Sequence, residues 1–148
     1  MTVRPAEDHE WLISEEAYTL YAPCMYQPSR EKYRALMERY CADPSVKLFV
    51  CEDHGKPVGM LALDLSGSSA EILGITVSED RRRHGIGRQL ILWAMASLRL
   101  NSLEARTDED AVGFYLKCGF AAERHVIQYP DGSAIRFHCT LIGRPAGS

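Results

Sequence analysis

The sequence predicts one domain that combines a mixed β-sheet with a few helices, an α+β or mixed-sheet α/β fold. The chain has 148 residues, of which 46% are hydrophobic and 25% are charged. That is enough for one compact domain, residues 1–148, with a core that needs no disulfides. Short apolar runs bounded by turn residues outnumber the stretches with helical periodicity, and the helical stretches lie between them. This alternation favours a single layered domain.

The N-terminal third begins with a short strand and continues with two helices. Residues 2–4 are a candidate strand, and Asp8 is a candidate N-cap for a helix that includes residues 11–17. Ser29 caps a clearer second helix, whose apolar residues recur at helical spacing until Pro44 ends it.

Three strand patterns follow. Residues 46–51 and 58–65 are apolar runs joined by turn residues, which predicts an antiparallel hairpin. Residues 70–77 predict a third strand with strict alternation. The alternation places Glu71, Leu73, Ile75 and Val77 on one face, and Ile72, Gly74 and Thr76 on the other.

The second half of the chain carries one long helix and a terminal hairpin. From Gly85 to Leu98, apolar side chains surround the whole helix circumference, which predicts a helix buried against the sheet. Residues 102–107 predict a strand, and residues 110–117 predict a short helix ended by a glycine. Residues 121–141 predict two strands around a turn at 129–133, and we expect residues 143–148 to be a frayed tail.

Composition excludes several functions. The net charge of −3 provides no general positive field for nucleic acid or an anionic membrane. No apolar run reaches about 18 residues, and the N-terminus does not resemble a secretion signal. The five cysteines show neither C-x-x-C nor metal-ligand spacing with the histidines. We therefore expect buried, reduced thiols, a cytoplasmic location and no metal.

The most informative stretch is a basic, glycine-containing loop between an apolar strand and an apolar helix. It reads Arg81-Arg82-Arg83-His84-Gly85-Ile86-Gly87-Arg88. The first turn of a helix offers free N–H groups and a partial positive charge, and glycines let a ligand approach the backbone closely. Arginines add charge-assisted contacts, which suits a diphosphate. The charge run alone is also compatible with a solvated cluster, and the spacing matches neither common nucleotide-binding glycine motif.

Two motifs together resemble those of the GCN5-related N-acetyltransferases (GNAT family). The pattern R-x-x-G-x-G from Arg82 to Gly87 is similar to the family's acyl-CoA-binding motif. Residues 108–120 are similar to its N-x-x-A-x-x-x-Y-x-x-x-G-F segment, with Asp108 in place of the usual Asn. A carboxylate can keep a cap-like role there, whereas its contact with an anionic cofactor is not implied. The likeness covers about residues 46–141.

The resemblance implies a fold and a coenzyme site. The fold is a mixed, mostly antiparallel central sheet of six to seven strands flanked by about four helices. Two strands splay apart, and the pantetheine arm of acetyl-CoA pairs with the strand before the glycine loop, while the diphosphate binds at the loop. The implied cofactor-binding residues are Ile75, Thr76, Val77, Arg82, Arg83, His84, Gly85, Ile86, Gly87, Arg88, Asp108, Ala111, Phe114 and Tyr115.

The resemblance also implies a reaction, in which an amine attacks the thioester directly in a ternary complex without an acyl-enzyme. Tyr115 matches the family's general acid, and Glu71 and Glu104 each match a glutamate that serves as base in some members. Both glutamates could instead be ordinary strand-end residues. If one of them acts as the base, Glu71 is slightly preferred. A non-catalytic acyl-CoA sensor and a general anion or nucleotide binder are the alternatives.

The sequence specifies the binding site of the acceptor amine less fully than the coenzyme site. By family likeness, the first two helices and their connection cover the site of a small-molecule or peptide amine. They carry Glu15, Glu16, Tyr18, Tyr21, Tyr26 and Tyr33, acidic and aromatic residues that suit a cationic amine. Members of the family pair through terminal strands, so the hairpin over residues 121–141 is a candidate homodimer surface.

Overall fold

The computed structural model describes residues 1–143, which form a seven-stranded sheet and five α-helices. The strands are β1 Thr2–Pro5, β2 Val46–Asp53, β3 Lys56–Asp64, β4 Ala70–Val77, β5 Ser102–Thr107, β6 Ala121–Tyr129 and β7 Gly132–Ile142. The helices are α1 His9–Leu12, α2 Glu15–Tyr21, α3 Arg30–Ala42, α4 Ile86–Ser97 and α5 Val112–Lys117. The predicted fold class is confirmed. Of the expected tail, residues 144–148 lie outside the described residues, and the Gly143 amide donates to the Asn101 carbonyl at 2.7 Å.

The sheet has the strand order β1-β2-β3-β4-β5-β7-β6, and its neighbours are antiparallel except β4 and β5. The parallel pairing of β4 with β5 covers three residues, from Ala70 with Leu103 to Ile72 with Ala105. Beyond that point β4 is paired only with β3, and β5 only with β7. The second half of β4 therefore borders an opening in the middle of the sheet.

A β-bulge lies where this opening begins. The register between β3 and β4 passes from Ala62 with Gly74 to Leu63 with Ile72, which leaves Leu73 as the extra residue. Our prediction that Leu73 and Ile75 share a face is therefore wrong. Leu73 packs with the α1–α3 side of the core, whereas Ile75 packs with the α4 side.

The helices cover the two faces of the sheet. One core cluster contains α4 and α5 residues, and a second contains α1, α2 and α3 residues packed on β2 and β3. Helix α4 buries Leu90, Ile91 and Ala94 against the sheet. Burial of Leu90 and of Ile91 stabilises the fold by up to about 2–3 kcal/mol each. Leu92 is 47% exposed, so the helix is buried on one side only, despite its apolar circumference.

The N-terminal helices differ from prediction in one respect. The expected helix after Asp8 is two helices, because the Ser14 side chain accepts a hydrogen bond from the Ala17 amide and caps a new one. Helix α3 begins after Ser29, whose hydroxyl oxygen accepts from the Lys32 amide, as predicted. Across residues 1–143, none of the helices combines the length and apolar character needed to span a membrane.

The cysteines are divided between core and surface. Cys51, Cys118 and Cys139 are buried, as expected, but Cys24 and Cys41 are exposed. The prediction of buried thiols is wrong for Cys41, which lies in the last turn of α3. The Cys24 residue is exposed as a whole, but its Sγ donates to the Tyr21 carbonyl at 3.1 Å, and burial raises the pKa of this thiol to about 11.

Candidate active site

The loop between β4 and α4 is held in a shape that ordinary residues rarely adopt. Arg83 has φ +68° and Gly85 has φ +76°, both in the left-handed region. Nothing lies within 4 Å of a Cβ placed on Gly85, so the space beside this turn is open. At the base of the loop, the Arg81 guanidinium forms an ion pair with Asp53 at the end of β2. Arg81 therefore anchors the loop.

The N-terminus of α4 presents a row of free amides. Among the described residues, the amides from Arg83 to Arg88 donate no hydrogen bond, and no side chain caps the helix. The first intrahelical bond is donated by Gln89 to the Gly85 carbonyl at 3.0 Å. Six consecutive unused donors and the helix dipole make a site for a multiply charged anion.

Positively charged side chains surround these amides. Arg82, Arg83 and Arg88 are exposed, and within residues 1–143 none of them pairs with a carboxylate. The Arg82 Nε donates to the Val77 carbonyl at 3.2 Å, which directs this side chain back along the end of β4. His84 is exposed beside them.

The part of β4 that borders the opening is fixed from the α2 side. The Thr76 hydroxyl is buried and donates to the Leu20 carbonyl at 2.8 Å. A Cβ on Gly74 would lie 2.0 Å from the Tyr21 hydroxyl oxygen, so only glycine permits this contact. Ile75 and Val77 are half-buried and point to the other face.

Helix α5 lies against the first turn of α4. The Asp108 carboxylate accepts hydrogen bonds from the amides of Asp110 and Ala111, at 3.1 and 3.0 Å, and so organises the turn before the helix. The Phe114 ring lies on Gly87, where an added Cβ would be 2.8 Å from the ring. Glycine at 87 thus lets α5 approach the first turn of α4.

Tyr115 of α5 is a buried phenol in the core on the α4 side of the sheet. Its ring makes edge-to-face contacts with Phe114 and Phe120, at centroid distances of 5.1 and 5.2 Å. Burial raises the pKa of the Tyr115 hydroxyl well above its usual range, and the nearby thiols of Cys139 and Cys24 add to the shift. The phenol therefore keeps its proton at any physiological pH.

The structure brings the two candidate bases together. Glu71 and Glu104 are register neighbours on the parallel strands β4 and β5. The Glu71 carboxylate pairs with Arg106 at 3.3 Å, and the Glu104 carboxylate hydrogen-bonds to the His138 Nε2 at 2.8 Å. His138 lies within the predicted terminal hairpin, and neither it nor Arg106 is among the site residues that the sequence predicts. Alternation along β5 places Glu104 and Arg106 on one face, but only the β5–β7 register reveals that His138 joins them.

The expected acceptor residues on the N-terminal helices are mostly engaged elsewhere. Arg30 binds the Glu15 carboxylate through two nitrogens, at 2.7 and 2.5 Å, and the Trp11 indole donates to Glu16 at 2.7 Å. Tyr33 is buried, with its hydroxyl donating to the Leu12 carbonyl, so it faces the core rather than an acceptor. Tyr21 is likewise buried. The Arg30 guanidinium lies over the Tyr18 ring, 5.3 Å from its centroid, and Tyr26 is 86% exposed.

Comparison with known proteins identifies this architecture. The model of the acetyltransferase (GNAT) family matches residues 14–120. A comparison with curated protein sequences gives no significant match.

Three solved structures illustrate the likeness of fold. A chimera of spermidine N-acetyltransferase SpeG from Vibrio cholerae and hSSAT is 20% identical, with a TM-score of 0.71 and 96% of each chain covered. The ribosomal-protein-S18-alanine N-acetyltransferase from Escherichia coli is 18% identical, with a TM-score of 0.72 and coverage of 99% of this chain and 97% of that one. A GNAT family acetyltransferase from Elizabethkingia anophelis with acetyl-CoA bound is 20% identical, with a TM-score of 0.67 and coverage of 95% and 97%.

The TM-scores and coverages establish a shared fold, and the family model adds the sequence evidence over most of the chain. The chain therefore belongs to the acetyltransferase (GNAT) family, the N-acetyltransferases that use acetyl-CoA as acyl donor.

Proposed function

We propose that this protein transfers the acetyl group of acetyl-CoA to a primary amine by direct attack within a ternary complex. The observation that carries the proposal is the row of unused amides from Arg83 to Arg88, next to the opening between β4 and β5. A coenzyme with a diphosphate at one end and an extended arm at the other matches both features.

The binding residues follow from this placement. The diphosphate binds the amides between Arg82 and Arg88, with Arg82, Arg83 and Arg88 as charged partners. The pantetheine arm lies along the free edge of β4 and hydrogen-bonds to the backbone from Ile75 to Val77. The remaining contacts come from His84, Gly85, Ile86, Gly87, Asp108, Ala111, Phe114 and Tyr115. Asp108 contributes by ordering the turn before α5, because its carboxylate already accepts two amides.

The chemistry needs a neutral amine and a proton for the departing sulfur. Acetyl-CoA supplies the activated acetyl thioester. The Tyr115 hydroxyl holds the proton that the sulfur takes, and its buried setting keeps that proton in place. Glu71 and Glu104 lie on the open face of the sheet, where a carboxylate helps to remove the proton of the amine. Holding the two reactants together supplies much of the rate.

The acceptor is a cationic amine. The half-exposed carboxylates of Glu71 and Glu104, with side-chain exposures of 32% and 31%, favour an ammonium group over a neutral acceptor. The named activities of two structural neighbours suggest two classes to test, a polyamine such as spermidine and a peptide with an N-terminal alanine.

The test is an assay of free thiol released from acetyl-CoA with a panel of these amines. We expect turnover with at least one amine, and a new amide product by mass spectrometry. Calorimetry that detects acetyl-CoA binding without thiol release from any amine would instead favour an acyl-CoA sensor. Displacement of CoA by ATP or phosphate with equal affinity would favour a general anion binder.

We also propose that the protein forms a homodimer through β6. This strand is the last in the sheet, and all nine of its residues are exposed. Its free edge carries Val126 and Ile127, which are 50% and 39% exposed, and Tyr129 at 47%. An edge of this kind pairs readily with another strand.

A further inference from the structure

A cluster of four charged or ionisable side chains lies on one face of the sheet where β4, β5 and β7 meet. Leu103, Ala105 and Cys139 are buried in the core on the α4 side. Because side chains alternate along a strand, Glu104, Arg106 and His138 point to the opposite face. Glu71 joins them, because its neighbours Ala70 and Ile72 also belong to the α4-side core. We call Glu71, Glu104, Arg106 and His138 the polar cluster.

The polar cluster is open to an incoming molecule. On this face α2 packs on β3 and β4, and α3 packs on β2. The side chains of Glu71, Glu104 and His138 are each about one-third exposed, at 32%, 31% and 33%. A small amine can therefore reach them from solvent without displacing a helix.

The cluster lies where the reaction must occur if the proposed function holds. Glu71 pairs with Glu104 one position before the last β4–β5 pair, Ile72 with Ala105. A coenzyme arm that runs from the α4 loop along Ile75 and toward Leu73 ends at the point where the strands meet. The thioester is then beside the cluster, across the sheet opening from Tyr115.

The hydrogen bond between Glu104 and His138 determines which nitrogen of the imidazole can accept a proton. A carboxylate can only accept, so the His138 Nε2, at 2.8 Å from it, carries the hydrogen. In a neutral imidazole the other nitrogen, Nδ1, is then an acceptor, and among the described residues no group donates to it. Glu71, in contrast, faces the cationic Arg106 at 3.3 Å.

We infer that His138 is the catalytic base of this transferase, with Glu104 as the positioning residue that fixes its tautomer and stabilises its charged form. The inference rests on the proposed function and deepens it by assigning the proton acceptor. Glu71 and Arg106 form the neighbouring ion pair that holds the acceptor ammonium near the imidazole.

The proton balance is as follows. The acceptor ammonium gives one proton to the His138 Nδ1, and the freed lone pair forms the C–N bond with the acetyl carbon. As the C–S bond breaks, the sulfur takes the Tyr115 proton. The nitrogen loses its second proton, which restores Tyr115 through water, and His138 releases its proton to solvent. One amide, one free thiol and one released proton result from each turnover.

Charged and titratable groups lie around His138 on four strands. Glu104 and Arg106 lie beside it on β5, and Glu71 lies one strand further away. On the other side, Glu123 of β6 is its register partner, and His125 lies two positions further along β6 on the same face. Arg136 lies two positions from His138 along β7, also on this face. The three carboxylates outnumber the two guanidiniums, which favours the approach of an ammonium substrate.

The test compares the pH dependence of kcat/KM in wild type and His138→Gln. We expect kcat to fall about 10²- to 10⁴-fold and the acid limb of the profile to disappear, with acetyl-CoA affinity unchanged by calorimetry. His125→Gln is the matched control, because His125 is an exposed strand histidine whose Nε2 also lies near a carboxylate, Glu123, at 3.7 Å. It should behave as wild type.

Glu104 is tested by two substitutions. A glutamine oxygen can still accept from Nε2, so Glu104→Gln should keep part of the activity and move the acid limb to lower pH. Glu104→Leu removes both charge and hydrogen bond, and should lower kcat more than it changes KM. A merely structural role predicts no shift of the acid limb in Glu104→Gln.

Several outcomes would overturn the assignment. One is a His138→Gln enzyme within twofold of wild type, and another is an acid limb lost in Glu71→Gln but retained in His138→Gln. Nitrogen NMR of the resting protein gives a readout independent of turnover, since a hydrogen on Nδ1 rather than Nε2 contradicts the tautomer. A wild type that releases no thiol with any amine overturns the proposed function as well, which separates the two failures.

Discussion

Tyr115 is a residue of the core that, in the proposed mechanism, also donates a proton. Its ring is held edge-to-face by Phe114 and Phe120, and only 7% of the residue is exposed. Burial costs the phenolate more than the phenol, so the resting protein keeps the proton on oxygen. In the proposed reaction the sulfur of acetyl-CoA develops its negative charge in the same buried setting, and transfer of the phenolic proton neutralises that charge. The packing of the core would then also hold the proton donor in position.

Tyr115→Phe should lower kcat by about 10²-fold or more, because the sulfur loses its proton donor while the ring contacts remain. Acetyl-CoA affinity should stay within a few-fold of wild type by calorimetry. Thiol release at saturating acetyl-CoA measures the effect. Tyr129→Phe, at an exposed phenol at the end of β6, is the control and should have no effect on turnover. Unchanged turnover in Tyr115→Phe would exclude the acid role.

At the scale of elements, local patterns were sufficient for most of the fold and insufficient for the site. Helix α3, strand β4 and the glycine loop before α4 follow from caps, alternation and turn residues close together in the sequence. The bulge at Leu73 depends on β3, and the Glu104–His138 bond joins residues 34 positions apart. Such features depend on strand register, which is decided by the packing of the whole sheet and is not visible in a local window.

Contact between α4 and α5 is the element-level feature most easily tested. Gly87→Ala would place a Cβ 2.8 Å from the Phe114 ring. We expect a loss of about 1–3 kcal/mol in the free energy of unfolding, typical of overpacking, and weaker acetyl-CoA binding as the first turn of α4 moves. Urea denaturation and calorimetry measure the two effects.

Gly113→Ala is the matched control within α5. Nothing lies within 4 Å of a Cβ at this position, and its backbone is helical. Alanine has the higher helix propensity, by up to about 1 kcal/mol, so this variant should equal or exceed wild-type stability. Equal stability of the Gly87 and Gly113 variants would contradict the close approach of the two helices.

For the whole molecule, buried phenols link stability to alkaline pH. Burial is the largest cause that raises the pKa of Tyr21, Tyr33 and Tyr115 in the folded protein. Above about pH 10 the unfolded chain loses these protons while the folded chain keeps them. The unfolded state then binds fewer protons, so stability falls as pH rises.

The slope of the free energy of unfolding against pH measures this effect. Each such phenol contributes up to about 1.4 kcal/mol per pH unit above its unfolded pKa, so these three contribute up to about 4 kcal/mol per unit. Burial also raises the pKa of Tyr40 and of the five cysteine thiols, which add to the slope in the same direction. Urea unfolding at several pH values between 9 and 11 would measure it, within the range where the protein remains folded. Tyr33→Phe should reduce the slope by up to about 1.4 kcal/mol per pH unit, besides the loss of its hydrogen bond to Leu12. A stability independent of pH across this range would contradict the burial of these hydroxyls.

The proposed homodimer is a property of the whole molecule, and its test uses the free edge of β6. Val126→Lys places a charge on that edge, and in a symmetric strand pair two such charges would lie near each other. We expect wild type to sediment as a dimer at micromolar concentration and Val126→Lys to sediment as a monomer. Leu92→Lys is the control, because Leu92 on α4 is about as exposed, 47% against 50%, but lies away from β6. If the control dissociates and Val126→Lys does not, the contact lies on α4. The open face that holds His138 is built from β5 and β7, next to β6, so monomeric variants should also reveal whether a second copy limits access of the amine.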